Sequence, residues 1–260
     1  MFRQVRFWAA RTCRKATMRD FLEKNAREFE FSYGIQQTAS VAARLDAEGD
    51  AYAAARLTEA EAALFLSLRV QKRKIEWLAG RMAAKTAFAQ YKQVESKRAP
   101  ASLLPGIPTR TGQVSILNRP NRAPFLEGYP ELRISISHSH EYAVAAVAAY
   151  DIGIDIERNE PRPRALASYF FCEEERRLLE EHSLLPDPRD GLITKLWSRK
   201  EALSKYLQWG GRMVFSQVNS LPDHVCLEGA SNAGIRLVSG ERGGYWISLA
   251  LPEKGFSAHE

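Results

Sequence analysis

The chain has 260 residues, enough to form one large hydrophobic core or two small ones. Hydrophobic residues make up 45% and charged residues 26%, a composition typical of globular proteins and not of disordered or disulfide-rich ones. The longest uncharged apolar run, residues 142–150, is far shorter than the roughly 20 residues that a membrane-spanning helix requires. We therefore expect no membrane association.

The charge balance is basic, with 37 Lys and Arg against 31 Asp and Glu and a formal net charge of +6. Such an excess favours acidic partners, namely phosphorylated cofactors, acidic proteins or nucleic acid, without choosing among them. No zinc finger or RNA-recognition signature accompanies it, so we expect no nucleic-acid binding. The widely spaced Cys13, Cys172 and Cys226 form no metal or redox motif and indicate free thiols in the cytoplasm.

Residues 1–55 are predicted to form a helical, Ala-rich extension. Six basic and no acidic residues lie among the first 19. This pattern leaves open an organellar presequence, a solvated basic helix, or a start codon upstream of a true start at Met18.

The next predicted elements are two helices. Residues 58–61, Thr-Glu-Ala-Glu, match a capping box that begins the first helix. A basic cluster at residues 72–74 leads into the second helix, predicted over residues 75–91. Prolines between positions 100 and 130 then indicate a loop-rich middle.

The second part of the chain mixes strands with helices, which predicts an α/β (α+β) fold. Residues that alternate between polar and apolar, or that are continuously apolar over a short run, predict strands. Strands are predicted over residues 132–137, 142–149, 151–157 and 245–251, and helices from Glu173 and over residues 192–207.

The first candidate site lies on the strand 151–157. Because side chains alternate across a strand, we predict that Ile152, Ile154 and Ile156 are buried, while Asp155 and Glu157 lie on the other face. Their carboxylates are then about 6–7 Å apart and repel each other unless a cation lies between them. Mg²⁺, a hard ion often shared with phosphates, is a suitable cation; the alternative is a strand that exposes both acids to water.

The second candidate site lies on the helix 192–207. Trp197, Glu201 and Lys205 are spaced i, i+4 and i+8, so they share one stripe. Glu201 is therefore a candidate third Mg²⁺ ligand, and Lys205 a candidate phosphate contact. The alternative is an ordinary ion pair between Glu201 and Lys205.

A third candidate follows the strand 132–137. His138, flanked by Ser137 and Ser139, is able to donate a hydrogen bond to a phosphate. The same residues also suit a simple polar strand end.

A fourth candidate is a cationic edge on the helix 75–91. Trp77, Arg81 and Lys85 share a stripe, and Arg73 lies just before it. Such an edge suits a polyanion, although most stripes of this kind are solvated faces.

Together, these four motifs resemble the ordered signature of Sfp-type 4′-phosphopantetheinyl transferases. The motifs are residues 76–85 (Glu-Trp-Leu-Ala-Gly-Arg-Met-Ala-Ala-Lys), 135–139 (Ser-Ile-Ser-His-Ser), 153–157 (Gly-Ile-Asp-Ile-Glu) and 197–202 (Trp-Ser-Arg-Lys-Glu-Ala). The similarity extends over about residues 57–218.

The resemblance implies a pseudo-twofold pair of similar α/β halves with coenzyme A in the cleft between them. We expect residues 56–150 to form the N-terminal, coenzyme A-binding half and residues 151–260 the C-terminal, metal-binding and catalytic half. The implied reaction transfers 4′-phosphopantetheine from coenzyme A to a serine of an acidic apo acyl or peptidyl carrier protein and releases 3′,5′-ADP. The enzyme is expected to be a Mg²⁺-dependent monomer; the alternative is an inactive homologue that binds coenzyme A or a carrier.

The resemblance also implies roles for single residues. Asp155, Glu157 and Glu201 hold Mg²⁺, Glu201 deprotonates the carrier serine directly or through water, and Lys205 contacts the pyrophosphate. The implied cofactor-binding residues are Arg73, Arg81, Lys85, Ser137, His138, Asp155 and Lys205. No enzyme nucleophile is needed, because phosphoryl transfer requires mainly positioning and charge neutralisation.

Two of the chain's departures from the family concern a loop and the start of a helix. The loop 122–124 reads Arg-Ala-Pro where the family often has Gly-x-Pro. Cys172 stands where Ser or Thr usually begins a helix, and a thiol is a poor cap, although Glu175 keeps the capping-box spacing.

Overall fold

The structure is a computed structural model that describes residues 16–98, 114–162, 168–182, 189–209, 212–225 and 234–253. The expectations for the first 15 residues, for Cys13 and Cys226, and for the prolines at 100, 105 and 108 lie outside these residues.

The first half of the chain contains most of the helices. Its elements are α1 (Met18–Phe29), β1 (Ser32–Gln37), α2 (Thr38–Glu48), α3 (Asp50–Ala54), α4 (Glu59–Ser67), α5 (Gln71–Arg98), β2 (Ile116–Asn118), β3 (Pro124–Leu126), β4 (Arg133–Ser139) and β5 (Tyr142–Ala148). The second half contains β6 (Gly153–Arg158), α6 (Glu173–His182), α7 (Arg189–Tyr206), β7 (His224–Val225), β8 (Ile235–Arg242) and β9 (Tyr245–Pro252).

The two halves repeat one arrangement of strands. In the first sheet the order is β1-β5-β4, and in the second it is β6-β9-β8-β7, with antiparallel pairing in both. In each half the first strand pairs with the last, and one long helix, α5 or α7, packs on the sheet. This mixture of helices and antiparallel sheet confirms the predicted α/β (α+β) class.

The strand β1 corrects one expectation. Residues 1–55 were expected to be a helical extension, but Ser32–Gln37 pairs with β5, from Ser32 opposite Val147 to Gln37 opposite Tyr142. This segment, Ser-Tyr-Gly-Ile-Gln-Gln, has only two apolar residues at alternate positions, Tyr33 and Ile35, a signal too short to predict a strand without its partner. The sheet of the first half therefore begins before the expected boundary at residue 56.

Each long helix crosses its sheet at a glycine. A Cβ atom on Gly34 of β1 would lie 2.0 Å from the Ala83 carbonyl oxygen of α5. A Cβ atom on Gly153 of β6 would lie 1.9 Å from the Ala202 carbonyl oxygen of α7. Only glycine permits so close an approach of strand and helix, and this contact sets the position of β6 against α7.

The halves share one hydrophobic core. It combines α1 with one face of β5, β6 and β9, and Ile152, Ile154 and Ile156 lie in it as predicted. Separate clusters lie beneath α5 and beneath α7. Among the described helices, none is long and apolar enough to cross a membrane.

Candidate functional site

Three serines of β4 hold the free edge of β6. The hydroxyl oxygen of Ser135 accepts a hydrogen bond from the Ile154 N–H (3.0 Å), that of Ser137 from the Ile156 N–H (3.3 Å), and that of Ser139 from the Arg158 N–H (3.1 Å). We call Ser135, Ser137 and Ser139 the serine ladder. It joins the first half of the chain to the strand that carries the predicted metal ligands.

Asp155 lies beside this ladder and is 2% exposed. Its Oδ1 accepts hydrogen bonds from the Ser137 hydroxyl and from the Lys205 ammonium, both at 2.7 Å. Its Oδ2 is buried and has no hydrogen-bond partner among the described residues. A buried carboxylate oxygen without a partner is costly, so this atom is suited to a ligand that the polypeptide does not supply.

Glu157 is held by three donors. Its Oε1 accepts from the Trp197 indole N–H at 3.0 Å, and its Oε2 accepts from Arg162 at 2.9 Å and from Ser139 at 3.3 Å. Burial raises the pKa of Glu157, and the Asp155 carboxylate raises it further, while Arg162 lowers it.

Glu201 is on α7, where β6 packs against that helix. Burial raises its pKa, the Lys205 ammonium lowers it, and the carboxylates of Asp155 and Glu157 raise it again. The charges of Asp155 and Glu157 therefore act on Glu201, and Lys205 contacts both Asp155 Oδ1 at 2.7 Å and the Ile154 carbonyl oxygen at 3.3 Å.

These residues fit a divalent cation in charge and chemistry. Among the described residues, no three His, Cys, Asp or Glu side chains form a ready-made metal cluster. Burial, and after it the neighbouring carboxylates, raise the pKa values of Glu157 and Glu201, and Asp155 Oδ2 has no partner among the described residues. A hard cation would stabilise the charged form of these three carboxylates.

A cleft of about 350 Å³ opens beside this group. Glu201 and Lys205 line it from α7, residues 134–136 line it from β4, and residues 121–124 line it from the loop that leads from β2 into β3. Arg122 in this loop has φ 68°, a left-handed conformation that favours glycine. This backbone geometry explains how the family's glycine suits the position, and Arg122 places a cation there instead.

His138 is exposed at the end of β4. The protein around the imidazole nevertheless removes part of its hydration, which lowers the pKa of His138; the Glu76 carboxylate raises this pKa, and the Lys205 and Arg73 cations lower it. Arg73 and Glu76 belong to the start of α5, and Lys205 belongs to α7. The pKa of His138 therefore depends on charged groups from both halves of the chain.

Arg81 and Lys85 have a different environment, because both side chains are buried against Glu61. The Lys85 ammonium is 2.6 Å from Glu61 Oε2, and Arg81 Nε is 3.9 Å from Glu61 Oε1. Arg81 also donates to Asn118 at 3.3 Å, and burial lowers the pKa of its guanidinium to about 10. Their predicted contact with the cofactor stays a prediction, and in this structure the partner of both is Glu61.

Glu61 is also the glutamate of the capping box that begins α4 at Thr58, as the sequence predicts. Its Oε2 accepts from the Thr58 N–H at 3.0 Å, and its Oε1 accepts from the Ile116 N–H at 3.1 Å. The second half repeats this arrangement with Glu175, which caps at the Cys172 N–H (2.9 Å) and pairs with Lys200 at 2.8 Å. In each half a buried capping glutamate therefore ties a short helix to the long one.

Sequence reasoning missed three contributors to the site. Arg162 and Ser139 contact Glu157, and the Trp197 stripe residue donates to the same carboxylate. The alternation of serines at 135, 137 and 139 was a signal for the ladder, but it equally predicts a solvated strand face.

Comparison with known families identifies the class of this protein. Residues 151–255 match the model of the 4′-phosphopantetheinyl transferase superfamily, and residues 60–148 match that of the 4′-phosphopantetheinyl transferase N-terminal domain. The two matches together include about three quarters of the chain and follow the two halves of the fold. The chain belongs to the 4′-phosphopantetheinyl transferase superfamily.

Less than half of this chain covers nearly the whole length of two solved structures that it matches. A holo-(acyl-carrier-protein) synthase from Bacillus anthracis str. Ames, in complex with CoA (3′,5′-ADP), is 27% identical, with a TM-score of 0.35 over 45% of this chain and 91% of that one. The holo-[acyl-carrier-protein] synthase from Helicobacter pylori, in complex with coenzyme A, is 21% identical, with a TM-score of 0.34 over 45% and 97%. A search of curated proteins gave no match.

Proposed function

We propose that this protein transfers the 4′-phosphopantetheine group of coenzyme A to a serine of an apo acyl or peptidyl carrier protein, in a Mg²⁺-dependent reaction that releases 3′,5′-ADP. The observation that carries the proposal is the buried Asp155, whose Oδ2 has no partner among the described residues and whose Oδ1 binds Lys205 at 2.7 Å, beside a cleft that Glu201 and Lys205 line. Family membership supports the type of reaction.

The reaction needs no covalent intermediate on the enzyme. The carrier serine oxygen bonds to the phosphorus next to the pantetheine, and the bond from that phosphorus to the bridging oxygen breaks, so that 3′,5′-ADP leaves. Glu201 takes the serine proton directly or through a water, and its raised pKa brings it closer to the value that suits a general base.

Asp155, Glu157 and Glu201 are the residues that would hold Mg²⁺. When bound, the cation supplies neutralisation of the charge on the pyrophosphate. Lys205 has three donors, of which two lie on Asp155 Oδ1 and the Ile154 carbonyl, so a further N–H is suited to a phosphate oxygen.

The phosphate at the far end of coenzyme A is proposed to bind near His138 and Arg73. The charges of Arg73 and Lys205 both act on the pKa of His138, and Arg73 is exposed at the start of α5. An acidic carrier is the proposed partner, because a net charge of +6 would speed its association. A monomer is proposed, because the chain itself supplies both halves around one core.

The test is mass spectrometry of several apo carriers, each incubated with the protein, coenzyme A and Mg²⁺. We expect a gain equal to one phosphopantetheine group, appearance of 3′,5′-ADP, and loss of both when EDTA removes the cation. A carrier whose acceptor serine is replaced by alanine is the control. Coenzyme A binding without any adduct would instead identify an inactive homologue.

A further inference from the structure

We infer that Ser137 and Ser139 are positioning residues that hold Asp155 and Glu157 from the opposite half of the chain, and that the hydroxyl of Ser137 serves a carboxylate and not a phosphate. The inference rests on the proposed function, because it assigns these serines to the same site.

The serine ladder substitutes for a strand pairing between the two sheets. Serine hydroxyls two residues apart on β4 meet backbone amides two residues apart on β6, at 3.0, 3.3 and 3.1 Å. The offset between partners is constant, so the two strands run in the same direction along the ladder. One edge of β6 pairs with β9. The serine hydroxyls accept hydrogen bonds from the N–H groups on its other edge, which would otherwise lack partners inside the protein.

Two of the three hydroxyls also donate hydrogen bonds to the carboxylates. The Ser137 hydroxyl is 2.7 Å from Asp155 Oδ1, and the Ser139 hydroxyl is 3.3 Å from Glu157 Oε2. Ser135 makes the same ladder bond to Ile154, but within the described residues it has no hydrogen bond to a carboxylate. The chain thus contains its own comparison between the ladder bond alone and the ladder bond with a carboxylate contact.

A count of protons then decides the role of Ser137. A hydroxyl has one proton to donate, and here it lies toward Asp155, while the oxygen accepts from the Ile156 N–H at 3.3 Å. The side chain is also buried, at 5% exposure. Ser137 is therefore not free to donate to the cofactor, and its effect on the reaction passes through Asp155.

The experiment compares Ser137→Ala with Ser135→Ala as its matched control. Binding of Mn²⁺ alone, followed by electron paramagnetic resonance, is expected to weaken about 10–100-fold in Ser137→Ala, since loss of a group that orients a ligand has this effect. It is expected to stay near the wild-type value in Ser135→Ala. Ser139→Ala should change affinity in the same direction by less, because its contact is longer.

A second measurement separates positioning from phosphate binding. Coenzyme A and its analogue without the 3′-phosphate are compared by calorimetry for each variant. A positioning role leaves the ratio of the two affinities unchanged in Ser137→Ala, whereas loss of a donor to that phosphate would lower the ratio below the wild-type value. Faster amide hydrogen exchange at Ile154 in Ser135→Ala and at Ile156 in Ser137→Ala is expected from the ladder.

The possible results are distinguishable. Equal Mn²⁺ affinities in the Ser135 and Ser137 variants would overturn the inference while leaving the proposed function intact. A lower ratio of the affinity for coenzyme A to that for its analogue in Ser137→Ala would do the same. A wild-type protein that binds neither Mn²⁺ nor coenzyme A would refute the proposed function, and the inference with it.

Discussion

Replacement of Glu61 by alanine should be among the most destabilising single changes in the first half of the protein. Its fully buried carboxylate lies 2.6 Å from the Lys85 ammonium and 3.9 Å from Arg81 Nε. The same group accepts the Thr58 and Ile116 backbone N–H groups at 3.0 and 3.1 Å. Glu61→Ala therefore leaves two buried cations without their counter-ion and two amides without an acceptor.

The expected loss follows from this environment. Removing one partner of a buried ion pair costs about 3–5 kcal/mol, because the remaining charge stays buried. For a chain of this size, such a loss corresponds to a decrease in melting temperature of roughly 6–20 °C. It is also a large part of a typical unfolding free energy of about 5–15 kcal/mol.

Urea unfolding followed by circular dichroism measures the loss, with Glu59→Ala as the control. Glu59 lies in the same first turn of α4 but is exposed, so its removal should cost only about 0.3–1 kcal/mol of helix-dipole interaction. If Glu61→Ala were no more destabilising than Glu59→Ala, the ion-pair cluster would not be stabilising the first half, and the reasoning would be refuted.

Three further predictions concern the site. Asp155→Ala, Glu157→Ala and Glu201→Ala should each lower the rate of carrier modification at least about a hundredfold, which corresponds to about 2.7 kcal/mol in activation free energy. The circular dichroism spectrum of each variant should be unchanged. Near-wild-type rates in both the Asp155 and Glu157 variants would show the ligand assignment to be wrong. Because burial first, and then the neighbouring carboxylates, raise the folded-state pKa of Glu201, stability is lost as pH rises through that pKa. Glu201→Gln should therefore stabilise the metal-free protein at pH 7, but not below the unfolded pKa of about 4.3, in urea titrations at the two pH values. Gly153→Ala should lower the free energy of unfolding by at least about 1–3 kcal/mol through overpacking, because its Cβ would lie 1.9 Å from the Ala202 carbonyl oxygen. The control Gly191→Ala, whose Cβ would have its nearest neighbour at 3.5 Å, should be neutral or stabilising. Equal melting temperatures of the two variants would contradict the close contact at Gly153.

The sequence predicts the local elements of this protein well where their signal is local. The capping box at Thr58, the alternation over β4 and β6, and the burial of Ile152, Ile154 and Ile156 all follow from patterns a few residues long. The shared position of Asp155 and Glu157 follows from the same alternation.

What the sequence does not predict depends on distant partners. Arg81 and Lys85 have the spacing of a solvated or ligand-binding edge, and only the fold shows that Glu61 faces both of them. The segment Ser32–Gln37, which has only two apolar residues, becomes a strand because each of its residues pairs with a residue of β5. Likewise, the serines of β4 become a ladder only because the edge of β6 lies against them.

The core around Ile154 and Val144 has a consequence for how the molecule unfolds. Apolar side chains of β5 in one half pack in a single cluster with those of β6 and β9 in the other half and with those of α1. When one sheet unfolds, the inner face of the other sheet therefore becomes exposed to water. Separation of the halves would also release the edge amides of β6 to the solvent. The two halves should therefore unfold as one cooperative unit, and a ligand bound between them would raise the melting temperature of the whole chain.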